Sequence, residues 1–170
     1  MPKRKPAKSV INLAENARSC FMKKPVWILS TLLVLMPALS NASDSMADKA
    51  VDYRQGVFSI LGWNIGPMVQ MMKKEKPYDK DIFARNAQRM AAVAPMALEG
   101  FIPDSATKDS DAKPKIWSNM DDFKSKMKDL ETASAELAAV AKTGDMAQIG
   151  PKFQNLGQAC KACHDEYREE

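Results

Sequence analysis

Apolar residues recur at steps of three and four along four stretches of the chain, each bounded by turn-forming residues. From about Met46 to Lys74 the repeat runs through Tyr53, Val57, Ile60, Leu61, Met68 and Met71, and Gly66-Pro67 is expected to bend this first helix. Lys76-Pro77-Tyr78-Asp79 reads as a connection, with Asp79 placed to cap a second helix over about Lys80 to Leu98. Its apolar face is Phe83, Met90, Val93, Ala94 and Ala97. Periodicity fails between Glu99 and Lys115, where Gly100, Pro103, Asp104, Ser105, Asp109, Asp111 and Pro114 accumulate, so a long loop is expected there. A third helix, about Trp117 to Lys142, carries Met120, Phe123, Met127, Leu130 and Leu137 on one side. Thr143-Gly144-Asp145 supplies its stop and the next cap. The last helix begins at about Met146 or Pro151 and ends near Arg168, with Phe153, Leu156, Cys160, Cys163, His164 and Tyr167 on a single, buried face. No stretch alternates as a strand does. The predicted fold is all-α, an antiparallel four-helix bundle.

Residues 1–42 read differently. Lys23-Lys24 precedes an apolar run of 14 residues, Val26 to Leu39, and Ser40-Asn41-Ala42 then offers small residues for cleavage, the layout of a secretory signal peptide. The run falls short of the ~20 residues that a membrane-spanning helix needs. Met22 stands directly before the lysine pair, which predicts translation from Met22 and an upstream extension over residues 1–21. The expected organisation is a leader over 1–42 and a single domain over 43–170, exported and free of the membrane after cleavage.

Processing changes the charge. The whole chain has 25 basic and 21 acidic residues; the leader holds 7 and 1 of these, leaving 18 and 20, a net −2. A basic patch for nucleic acid or anionic membrane is therefore not expected in the domain. Cys20 leaves with the leader, so Cys160 and Cys163 remain without a further cysteine to pair with.

Cys160-Lys161-Ala162-Cys163-His164 is a Cys-x-x-Cys-His motif, and its histidine is the only one in the chain. Two thiols so spaced can add across the two vinyl groups of a haem, with the adjacent imidazole free to ligate iron, which is c-type haem attachment. A structural zinc site would need two more thiol or imidazole ligands. A thioredoxin-like redox pair would need a βαβ context that is missing here. An i,i+3 disulfide within a helix has poor geometry.

Four segments together resemble the class II cytochromes c, specifically the cytochrome c′ family. These are Tyr53-Arg54-Gln55, Lys76-Pro77-Tyr78-Asp79, Ser110-Asp111-Ala112-Lys113-Pro114-Lys115-Ile116-Trp117-Ser118, and Cys160 through Arg168. The resemblance covers roughly 51–170 and implies one haem c, bound through Cys160 and Cys163, with His164 as the proximal iron ligand. It further implies Arg54 and Gln55 near the haem propionates, Asp111 at the haem edge, Arg168 beside the proximal imidazole and Phe58 in the distal pocket. The long loop is then expected to pack partly over the cofactor.

Phenylalanine cannot ligate iron, so Phe58 implies a five-coordinate site that takes nitric oxide and carbon monoxide. The 12 methionines motivate the alternative, a six-coordinate histidine–methionine electron carrier with Met46 as the ligand. Without a distal acid–base group, enzymatic catalysis is not expected. The implied setting is the periplasm of a Gram-negative bacterium, with a small redox protein as partner. A homodimer is implied too, to which Trp63, Ile65 and Val69 on the first helix could contribute unless they complete the core.

Overall fold

Ser45 opens the first helix of the computed structural model, which describes residues 45–169; the leader reading over 1–42 lies outside the described residues. The Ser45 hydroxyl accepts from the Asp48 N–H at 3.2 Å and the Asp48 carboxylate accepts from the Ser45 N–H at 3.1 Å, a reciprocal capping box. From there α1 runs over Met46–Met72, passing through Pro67 without interruption. The proline deprives the Trp63 carbonyl of its usual donor. Trp63 lies on the exposed face, where water can serve that carbonyl.

Asp79 caps α2 (Lys80–Val93) as expected, its carboxylate accepting from the Ile82 N–H at 2.9 Å. The predicted second helix continues to Leu98 only as a tighter 3-10 turn over Ala94–Leu98, which has Pro95 near its start. The third helix is divided. A single turn, α3 (Lys115–Ser118), breaks at Asn119 before α4 (Met120–Ala141). Asn119 adopts φ −135° and ψ 45°, and its amide donates to the Tyr167 hydroxyl at 2.8 Å. Gly144, at φ 74°, and Asp145, whose carboxylate accepts from the Ala147 N–H at 2.9 Å, then lead into α5 (Met146–Tyr167).

The core positions follow one rule in every long helix. On α1 they run through Ala50, Arg54, Val57, Leu61, Asn64, Met68 and Met71, and on α4 through Phe123, Met127, Leu130, Ser134, Leu137 and Ala141, with Val51 and Ala133 also buried beside these stripes. Both step alternately by four and three, as do Phe83, Ala87, Met90, Ala94 and Ala97 along α2 and the 3-10 turn. That is the 3.5-residue seam by which the four helices of a bundle pack. Polar Arg54 and Asn64 conceal it in the sequence of α1. The expected core members Tyr53 and Ile60 instead face outward, and Tyr53 donates its hydroxyl hydrogen to Glu99 at 2.5 Å. On α5 the seam passes through Ile149, Phe153, Leu156, Cys160, Cys163 and Tyr167, but only Ile149, Leu156 and Tyr167 are fully buried.

Helix α1 packs against α2 and the 3-10 turn, α2 against α4, and α4 against α5; α1 and α5 have next to no direct packing. A cavity lies between these two. The loop over 99–114 crosses one end of it and is stitched to the end of α5 by the Lys113 N–H to the Tyr167 carbonyl (2.9 Å) and the Glu169 N–H to the Asp111 carbonyl (2.7 Å). None of the described helices is long and apolar enough to cross a membrane.

Candidate haem site

The cavity has a volume of about 560 Å³ and is bordered by α1, α4, α5 and the 99–114 loop, with Met90 the contribution of α2. Its wall is predominantly apolar, the usual character of a site for a planar organic group.

On α5 the seam spacing turns Cys160 and Cys163 toward the cavity, each half-buried, and His164 borders it from the following position. The sequence reading placed all three on a closed core face. They border an open cavity instead, and part of the His164 ring is exposed, because α1 scarcely packs on α5. Burial raises the pKa of Cys160 and pushes that of Cys163 up to about 11. Both are thus protonated thiols at neutral pH, unlike the thiolates of a redox-active pair. Burial, reinforced by the neighbouring Arg168, lowers the His164 pKa and so favours the neutral imidazole, the form whose lone pair can hold a metal.

Phe58, on α1, borders the cavity from the other wall and meets Phe101 edge-on, with ring centroids 6.2 Å apart and planes at 73°. Gln55, one turn earlier, also borders the cavity and donates its side-chain N–H to the Asp109 carbonyl at 2.9 Å. Asp111 and Arg168 meet at the rim, 3.5 Å apart in an exposed ion pair. The eight residues singled out from the sequence therefore border one space.

Arg54 borders it as well, but its guanidinium is already engaged. Buried to 2% exposure, it donates through Nη1 to the Gly100 carbonyl (2.9 Å) and Ser105 Oγ (3.0 Å), and through Nη2 to the Ser105 carbonyl (2.7 Å) and Ser110 Oγ (2.8 Å). It also lies 4.9 Å from the centroid of the Phe101 ring and 5.6 Å from that of Trp117. No carboxylate faces it in these contacts, and burial alone lowers its pKa. The expected loop residues do pack over the cavity, and Arg54 is what fastens them.

Sequence reasoning missed two further features. Lys126 of α4 borders the cavity and pairs with Asp122 at 3.7 Å. The Tyr167 hydroxyl, buried beside it, donates to Asp122 at 2.5 Å while accepting from Asn119, and burial together with the Asp122 carboxylate pushes its pKa up to about 12. The i, i+4 spacing of Asp122 and Lys126 was the available signal for the first; the break at Asn119 gave none for the second.

The donor set fits a haem: two thiols three residues apart, one neutral imidazole beside them, an apolar wall, and Gln55, Lys126 and Arg168 as edge groups that can meet carboxylates. Among the described residues no cluster of three or more histidine, cysteine or acidic side chains offers an alternative metal site.

A four-helix bundle with a cofactor-sized cavity walled by this motif is a haem-binding bundle of the class II type. The chain belongs to the cytochrome c′ family, whose model matches residues 49–168. It is 32% identical over 149 residues to cytochrome c-554 of Cereibacter sphaeroides, covering 85% of this chain and 96% of that one. Among solved structures it is similar to cytochrome c prime from Shewanella frigidimarina, with 39% identity, a TM-score of 0.72 and coverage of 75% and 98% of the two chains. It is also similar to the nitric oxide complex of a leucine-to-alanine mutant of cytochrome c prime from Alcaligenes xylosoxidans, at 31% identity, a TM-score of 0.67 and coverage of 73% and 96%. The family binds c-type haem.

Proposed function

We propose that the chain holds one haem through thioether bonds at Cys160 and Cys163, with His164 as the iron ligand, and binds nitric oxide and carbon monoxide on the face toward Phe58. The observation that carries this reading is the cavity itself: thiols and imidazole on the α5 wall, Phe58 on the α1 wall, and no second histidine in the chain. The bound haem supplies an iron that changes valence and accepts a diatomic ligand. Phe58 contributes bulk and no polar hydrogen to the facing side, so nothing there favours a ligand that gathers negative charge, and nitric oxide and carbon monoxide are preferred over dioxygen. The neutral His164 imidazole holds the metal from α5, and Arg168 discourages its protonation.

The histidine–methionine alternative draws on the likeness to a protein named cytochrome c-554. Met46 is 71% exposed at the start of α1 and does not border the cavity. The bordering methionines, Met90 and Met127, are buried in the core from α2 and α4. This distribution supports the five-coordinate reading. We read the role as binding and one-electron transfer, since the α1 residue in the distal position is Phe58, which neither donates nor accepts a proton. The motif and leader pattern support a periplasmic location. Of Trp63, Ile65 and Val69, Trp63 alone is exposed, Ile65 instead borders the cavity and Val69 is half-buried, so Trp63 together with the exposed Ile60 supports pairing of two copies through α1.

The test is absorption spectroscopy of the purified protein in ferric and ferrous forms, with and without nitric oxide. High-spin spectra that change on adding the gas are expected. A methionine–sulfur charge-transfer band in the ferric protein, with no spectral response to nitric oxide or carbon monoxide, would overturn the proposal.

A further inference from the structure

On the gas-binding reading, a ligand reaching the face of the cavity toward Phe58 would have to displace that ring, and the surroundings of the ring leave it few directions. Toward the loop it meets Phe101, which cannot yield. Phe101 is only 9% exposed and is held by Phe123 (centroids 4.7 Å), by Trp117 (6.2 Å) and by the Arg54 guanidinium (4.9 Å). On the inner side, Val57 and Leu61 fill the seam of α1 and are buried.

One direction is open. Gly62 lies four residues after Phe58, hence on the same face one turn along, and it borders the cavity. A Cβ built on Gly62 would have no heavy atom within 4 Å. Side chains on a helix lean toward its N-terminus, so whatever stood at position 62 would cover the strip beside the Cα of residue 58. Glycine leaves that strip bare. Its backbone needs no glycine, since Gly62 has no positive φ, and a glycine inside a long helix is a cost in stability. Gly56 and Gly66 of the same helix share both properties, and what sets Gly62 apart is that it alone of the three borders the cavity.

We propose that Gly62 is a specificity-determining residue that provides the space into which Phe58 withdraws, with Phe101 as the fixed stop on the other side, so that the pair sets how fast a diatomic ligand enters. The inference rests on the gas-binding reading above and extends it to residues that touch neither iron nor motif.

The test uses the holoprotein and Gly62→Ala, Gly62→Leu and Gly157→Ala variants. Gly157 lies on α5, likewise has open space around its Cβ, and does not border the cavity. Either alanine should raise the thermal midpoint by roughly 3–6 °C through helix propensity. Only Gly62→Ala should slow carbon monoxide association to the ferrous protein, by about 3–10-fold, the rate equivalent of forcing Phe58 off its rotamer. Gly62→Leu should slow it further, and adding Phe101→Leu should restore part of the rate by opening the other direction. A second readout, independent of gas binding, is the mobility of the Phe58 ring in the ferric protein by aromatic NMR relaxation, expected to fall in Gly62→Ala and not in Gly157→Ala. A wild-type protein that binds neither gas sinks the functional reading, and the ring mobility then still decides whether Gly62 frees Phe58. A wild-type protein that binds carbon monoxide, with Gly62→Ala and Gly62→Leu matching its rate, overturns the inference alone.

Discussion

Replacing Arg54 by methionine should release the 99–114 loop while leaving the four helices in place. Methionine keeps the length of the stem and removes the donors. The Gly100 and Ser105 carbonyls then lose their partner, at about 1–3 kcal/mol each for a buried acceptor left unsatisfied. Ser105 Oγ and Ser110 Oγ keep other bonds, to the Ile102 carbonyl and from the Ala112 N–H, so their loss is smaller. The contacts with the Phe101 and Trp117 rings add roughly 1–2 kcal/mol. Against this stands the relief of no longer burying a cation, itself worth several kcal/mol, so the net destabilisation should be about 3 kcal/mol. Urea denaturation followed by far-ultraviolet circular dichroism measures it. Limited trypsin digestion locates it: within 99–114 the basic residues are Lys108 and Lys113, and the bond after Lys113 precedes Pro114 and resists cleavage. A new nick after Lys108, ahead of any cleavage in the helices, is the expected pattern. An unchanged urea midpoint together with a loop that stays protected would refute the assignment of Arg54 as the fastening of this loop.

Three further outcomes are expected. Tyr167 is held protonated up to about 12 in the fold, against about 10 in an unfolded chain, so its contribution to stability is complete below pH ~10 and is lost as pH rises toward 12; Tyr167→Phe should remove that alkaline component from a plot of denaturation midpoint against pH. Gly144→Ala should destabilise by roughly 1–2 kcal/mol in urea denaturation, because φ 74° is strained for any residue with a Cβ and that Cβ would press on the Lys80 side chain at 2.9 Å. Leu137→Ala, at a fully buried seam position of α4, should cost about 2–5 kcal/mol and lower the thermal midpoint without altering the visible spectrum of the holoprotein.

The bundle and its motif were legible because both follow from local rules. Cysteine spacing and helical periodicity need no knowledge of the partner elements, and the caps at Asp79 and Asp145 stand where those rules put them. What escaped were positions whose neighbours come from far along the chain. Arg54 and Asn64 occupy core places on α1 despite their polarity, so a reading that admits only apolar residues to the seam substitutes Tyr53 and Ile60 and turns the stripe aside. Arg54 is buried because a loop about fifty residues away supplies four acceptors, which no periodicity encodes. The break at Asn119 likewise depends on the Tyr167 hydroxyl, and local propensity alone continues that helix. The haem was inferred from the motif, whereas the cavity follows from the near absence of packing between α1 and α5.

That separation ties survival of the chain to its loading. Two of the four helices scarcely touch each other directly, so a group seated between them would act as the mortar of the bundle and, by binding only the folded form, would raise the free energy of opening in proportion to how tightly it is held. The thioether bonds proposed at Cys160 and Cys163 would keep that group at hand even when the walls part, so that a loaded molecule that opens would reclose around it. A molecule that never received the group lacks this restraint, spends more of its time open, and meets proteases first. On the covalent-haem reading, the gap between α1 and α5 would thus make loading a condition of persistence.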